Sequence, residues 1–185
     1  SGHGAPGLED QRDYLVPVDA DPNRMELSGY PIDRLYANLA QIPARSTIVF
    51  LDACFSGNSP KGMIIRSASP IGLSPVPERA APGLTVLTAA SGGQLANWDE
   101  KAKHGLFTHY LLKGLYGVAD GEAYGNGDGE VTLAEIKFYL DEEMTYQSKR
   151  LFGAAREQRA STIGEDGIVL ASLSGSCRRH RACCV

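Results

Sequence analysis

The sequence predicts an α/β domain, and two alternating patterns predict it. Short, apolar, β-branched runs occur at Thr47-Ile48-Val49-Phe50-Leu51 and Leu84-Thr85-Val86-Leu87-Thr88, and a third candidate is Ile168-Val169-Leu170-Ala171. Between and around them lie segments with helical spacing. Strands that alternate with helices imply a mainly parallel sheet covered by helices.

The run from Thr47 to Leu51 is continuously apolar, as expected of a strand buried on both faces of a parallel sheet. Ile32, Leu35, Tyr36 and Leu39 follow the i, i+3, i+4, i+7 spacing of an amphipathic helix, with Pro31 suited to its first turn. Phe107, Tyr110, Leu111 and Leu115 predict a second helix. Leu133, Ile136, Leu140 and Met144 predict a third, opened by a capping box of Thr132 and Glu135. The stretch from Asn58 to Gly83 carries five prolines and reads as a long loop. Residues 174–185 are small, basic and cysteine-bearing, and read as a disordered tail behind one domain of residues 1–173.

Composition narrows the function. A chain of 185 residues with a net charge of -4 has no basic field for nucleic acid. No apolar run reaches the roughly 18 residues of a membrane-spanning helix. No signal peptide is visible; the compartment stays open, with a cytoplasmic setting expected and export not excluded. Of the four cysteines, Cys177, Cys183 and Cys184 crowd the tail, which builds neither a disulfide framework nor a zinc site. Cys54 stands alone in the body of the chain, the pattern of a thiol nucleophile awaiting a distant histidine.

Two motifs supply that chemistry. Ser1-Gly2-His3-Gly4 offers an imidazole between two residues without side chains. Leu51-Asp52-Ala53-Cys54-Phe55-Ser56-Gly57 sets a thiol at the carboxyl end of the first strand, where open α/β sheets bind ligands. A thiol needs a base to become a nucleophile, and an imidazole can take its proton and return it to a leaving amine. The N–H groups of Gly4 and Cys54 can face a developing oxyanion, each contributing about 3 kcal/mol to the transition state.

Gly2-His3-Gly4 and Asp52-Ala53-Cys54-Phe55-Ser56-Gly57 resemble the two signature motifs of caspase-like peptidases, above all metacaspases, orthocaspases and bacterial caspase-domain proteins. His3 and Cys54 are 51 positions apart, against roughly 50 in caspases. Tyr14 to Asp19, Thr88 to Ser91 and His104 to Thr108 resemble further family segments, and the resemblance covers residues 1–173. It implies a three-layer α/β/α fold, with His3 as base, Cys54 as nucleophile and Gly4 as oxyanion donor. The family's sheet has strands before the histidine, so the chain reads as N-terminally truncated.

Asp52 lies two residues before Cys54, so along a strand the two side chains share a face. A carboxylate there attracts a cationic substrate residue and repels an acidic one, which predicts cleavage after Arg or Lys. A hydrogen-bond network at the strand end is the competing role for Asp52. Ser91 is a second candidate for the pocket, and a second acid could come from Asp19 or Asp99. Lys61, Arg66 and Arg79 are candidate self-cleavage sites in the long loop. His104, His109 and His180 are not expected to be catalytic, and Trp98 reads as packing, near the cleft.

Asn126 to Glu135 resembles the later part of an EF-hand loop, with Asn126, Asp128 and Glu135 as calcium candidates. Tyr124 occupies the first position and offers no carboxylate. The favoured reading is a glycine-rich turn capped by Thr132, with no required cofactor. The expected partner is a peptide or protein substrate, neither nucleic acid nor membrane, with oligomeric state open. The alternatives to a cysteine endopeptidase are a non-catalytic caspase-fold interaction module and another clan member of legumain-like or separase-like type.

Overall fold

The computed structural model describes residues 1–7, 9–10, 12–21, 23–53, 55, 58–59, 62–63, 81–91, 94–99 and 103–173. In chain order the elements are β1 (Gly4–Pro6), β2 (Asp13–Leu15), α1 (Met25–Ser28), β3 (Tyr30–Pro31), α2 (Ile32–Leu39) and β4 (Thr47–Leu51). There follow β5 (Asn58–Ser59), β6 (Gly62–Met63), β7 (Leu84–Thr88), β8 (Trp98–Asp99), β9 (His104–Gly105) and α3 (Leu106–Lys113). The last are β10 (Glu130–Thr132), α4 (Leu133–Tyr139), α5 (Thr145–Phe152), β11 (Ser161–Ile163) and β12 (Val169–Ser172).

The principal sheet has the order β11-β7-β4. Strands β4 and β7 pair in parallel, with Thr47 opposite Leu84 and Leu51 opposite Thr88. Because they are parallel, their carboxyl ends open at one edge of the sheet. Side chains of alternate residues serve opposite layers. Val49 and Leu51 of β4, with Leu84 and Val86 of β7, pack against Ile32 and Tyr36 of α2. Ile48 and Leu87 face the other way, toward Leu106, Phe107 and Leu111 of α3 and Leu133, Ile136 and Tyr139 of α4. These are the three layers of an α/β/α domain.

Three expectations are corrected. The strand expected to be buried on both faces was β4, yet Phe50 is 41% exposed and the fully buried strand is β7. The reason is position: β7 lies between two partners, whereas β4 has one among the described residues. The sheet is also less parallel than expected, since β11 joins β7 antiparallel. The third predicted strand forms one residue later than expected, at Val169–Ser172, and pairs antiparallel with β10 in a separate ladder.

The helices follow their sequence patterns closely. Ile32 begins α2, and Pro31 caps it with φ -61 and extended ψ. The capping box opens α4: Thr132 Oγ1 accepts the Glu135 N–H, and Glu135 Oε2 accepts the Thr132 N–H at 2.8 Å. A wide helical turn at Leu140–Met144 carries α4 into α5, so the helical run extends two turns beyond the predicted Met144. Gly153, with φ 87, then ends it in a conformation that favours glycine. No helix of the described residues is long and apolar enough to cross a membrane. Most of the proline-rich loop, and residues 174–185 with His180, lie outside the described residues.

Candidate active site

The histidine motif enters as a backbone bridge. The carbonyl of His3 accepts the N–H of Val16 at 2.9 Å, just beyond the β1–β2 ladder. The N–H of Gly2 donates to the carbonyl of Asp52 at 3.0 Å. Residues 2 and 3 thus span from the small sheet to the carboxyl end of β4. In an antiparallel ladder hydrogen-bonded and non-bonded pairs alternate. The His3–Val16 bond therefore makes Gly4–Leu15 a non-bonded pair, and it turns the Gly4 N–H to the side of β1 away from β2. The His3 side chain is exposed.

A cavity of about 260 Å³ lies at this junction, walled by His3, Asp52, Ala53, Asn97, Trp98 and Gly105 among others. Two motifs far apart in sequence therefore meet at one cleft, at the carboxyl end of β4 as the topology rule requires. Cys54 itself lies outside the described residues. Its neighbours Ala53 and Phe55 are both buried in the α2-side layer.

Asp52 belongs to the opposite layer. With Ile48 and Phe50 it shares the face of β4 that looks toward α3. Its side chain is 8% exposed and accepts the hydroxyl hydrogen of Thr108 in the first turn of α3. Gly105 packs directly on it: a Cβ at that position would collide with the Asp52 carboxylate. The strand-end hydrogen bond named as an alternative for Asp52 therefore exists, and the same residue also walls the cavity.

The other predicted residues divide. Ser91 is not brought to the cavity. Its hydroxyl donates toward Gln94 Oε1 at 3.2 Å and the Arg159 carbonyl at 3.3 Å, because the chain after β7 turns to meet the segment leading into β11. Neither Asp19 nor Asp99 lines the cavity: Asp19 sits in an exposed turn, and Asp99 pairs with His104 across β8 and β9. Trp98, read as packing, is 42% exposed and walls the cleft. His104 and His109 stack at 5.5 Å outside the cavity wall, and burial holds the His109 imidazole below its usual pKa. Lys61, Arg66 and Arg79 lie outside the described residues.

Sequence reasoning missed the scaffold behind the cleft. Asn97 is 1% exposed and anchored on every side. Its N–H donates to Gln158 Oε1 at 2.7 Å, its amide to the Arg156 carbonyl at 3.0 Å, and its Oδ1 accepts Arg156 Nη2 at 3.1 Å. Gln158 is fully buried and donates through Nε2 to the Ala89 carbonyl at 2.8 Å. No spacing links positions 97 and 158, and only the buried polar character of two amides could have hinted at the pairing.

The calcium candidates are engaged with the protein. Glu135 Oε1 accepts the Asn126 N–H at 3.1 Å, and its Oε2 is committed to Thr132. Asn126 Oδ1 accepts the Asp128 N–H at 3.0 Å, and Asp128 Oδ1 the Glu130 N–H at 2.8 Å. Asp120, unnoticed in the sequence, closes the loop through Oδ2 on the Gly129 N–H at 3.1 Å. Among the described residues no group of three or more His, Cys, Asp or Glu side chains is arranged to hold a metal ion.

The model of the caspase domain matches residues 1–150, most of the chain, with the histidine and cysteine motifs both inside the match. The chain belongs to the caspase domain family. This membership carries the α/β fold and, at family level, cysteine peptidase chemistry on protein or peptide substrates. A comparison with curated proteins returned no match. The caspase domain match stops within α5, so Arg156 and Gln158, which brace the cleft through Asn97, follow it.

Proposed function

We propose that this caspase-domain chain is a cysteine endopeptidase that cleaves after Arg or Lys through a dyad of His3 and Cys54. The observation that carries the proposal is the Gly2–Asp52 backbone bond, which sets the His3 motif against the residues leading into Cys54, at one cavity.

The steps balance with the chain's own groups. His3 accepts the thiol proton of Cys54, and the thiolate sulfur attacks the scissile carbonyl carbon. The oxygen becomes an anion that the N–H groups of Gly4 and Cys54 stabilise. Collapse breaks the C–N bond, and His3 gives its proton to the departing amine. The thioester is then hydrolysed by a water that His3 deprotonates, which releases the carboxylic product and restores the thiol. Asp52 would receive the cationic side chain of the residue before the cut, by charge attraction in a secluded site.

The test compares a fluorogenic Arg peptide with its Asp counterpart, and labels the chain with a peptidyl-Arg acyloxymethyl ketone. Cleavage of the Arg peptide, and a label that is lost in Cys54→Ala, are expected. Preference for Asp, or equal labelling of both proteins, would overturn the proposal. A chain that neither cleaves nor is labelled would be the non-catalytic module of the same fold.

A further inference from the structure

We infer that Thr108 is the positioning residue for cationic selectivity: from the first turn of α3 its hydroxyl aims the Asp52 carboxylate at the cleft. This rests on the reading of Asp52 as the selectivity carboxylate.

Two observations carry it. The hydroxyl of Thr108 donates to Asp52 Oδ2 although the two residues are 56 positions apart. A donor on an ionised carboxylate makes one of the stronger hydrogen bonds in proteins and fixes the side-chain torsion. Second, Gly105 lies against the same carboxylate, and any Cβ there would displace it. Thr108 and Gly105, both at the start of α3, thus hold the carboxylate from one side.

The consequence is preorganisation. A carboxylate already held in one rotamer loses little entropy when a guanidinium or ammonium arrives. Without the Thr108 hydroxyl it can rotate away from the cavity, and the loss falls on cationic substrates alone.

The experiment measures kcat/KM on two peptides that differ only in Arg or norleucine before the cut, for the wild-type chain and for Thr108→Val, Thr108→Ser and Asp52→Asn. The Arg-to-norleucine ratio is expected to fall about tenfold in Thr108→Val and to be restored in Thr108→Ser. Damage to folding would lower both substrates together and leave the ratio intact. A wild-type ratio well above one that survives in Thr108→Val overturns the positioning role alone. A wild-type ratio near one, or one that Asp52→Asn keeps, overturns the reading of Asp52 and this inference with it.

Discussion

The backbone N–H of Gly2 donates to the carbonyl of Asp52 at 3.0 Å, and this one bond ties the histidine motif to the end of β4. The catalytic expectation depends on backbone, not on side-chain packing, for the approach of its two motifs. Substitutions of exposed side chains at this junction should therefore change chemistry more than stability.

His3→Ala tests that division. The side chain is exposed, so the unfolding free energy from urea denaturation should stay within about 0.5 kcal/mol of the wild type. Turnover of the Arg peptide should fall by about 100-fold or more, as expected for removal of a general base. A large loss of stability would show that the imidazole packs rather than reacts.

Gly105→Ala should disturb the cleft from beneath. The added methyl collides with the Asp52 carboxylate, which must rotate or leave α3. Selectivity for Arg over norleucine should drop by about tenfold, with a stability cost of about 1–3 kcal/mol. Retention of full selectivity would mean that Asp52 is not held where the cavity needs it.

Gln158→Leu removes a buried amide that serves two partners. The Asn97 N–H and the Ala89 carbonyl would both lose their hydrogen bonds inside the protein. A cost of about 2–4 kcal/mol is expected in urea unfolding, since each stranded buried group costs about 1–3 kcal/mol. A near-neutral variant would show that the segment after α5 does not brace the cleft.

Asp13 on β2 makes stability depend on pH. It is 7% exposed, its Oδ1 is buried without a partner among the described residues, and burial raises its pKa from 3.8 to about 6. The folded state therefore binds this proton more tightly than the unfolded state. The associated stability is complete below 3.8 and is lost as pH rises through about 6. Asp13→Asn should stabilise the chain at pH 7 by about 1–3 kcal/mol and have little effect at pH 4. Urea unfolding at both pH values measures it, and an equal effect at each would rule out the titration.

Asp120→Asn probes the turn before α4. The amide oxygen can still accept the Gly129 N–H, while the buried Oδ1 charge disappears. Thermal stability should hold or rise slightly, because an unpaired buried charge is costly. Millimolar calcium should leave the wild-type melting temperature unshifted, as Asn126, Asp128 and Glu135 are already engaged within the protein. A calcium-dependent rise that Asp120→Asn abolishes would replace the capped turn with an ion site.

Local features were legible in the sequence wherever local physics decides them. The β-branched runs at residues 47–51 and 84–88, the helical spacing from Ile32 to Leu39 and the capping box of Thr132 and Glu135 all formed as read, because each depends on neighbours within a few residues. The two motifs were legible for a different reason. The proposed nucleophile and base would demand rare residue types in constrained settings, and Gly2-His3-Gly4 with Asp52-Ala53-Cys54 stands out on that ground.

Tertiary structure alone decided the rest. Whether β4 or β7 lies at the centre depends on which strands pair, and a five-residue apolar run carries no record of its partners. Ser91 lies off the cavity and Trp98 walls it, because the loops after β7 are steered by contacts of Ser91 and Asn97 with residues 156–159, far along the chain. The bond from Thr108 to Asp52 has no signature in spacing, since it joins a strand end to a helix start across two layers. Sequence sets which groups this protein possesses and the regular elements that carry them. Only the packing of those elements determines which groups meet, because side-chain encounters between layers depend on the summed geometry of every strand and helix between them.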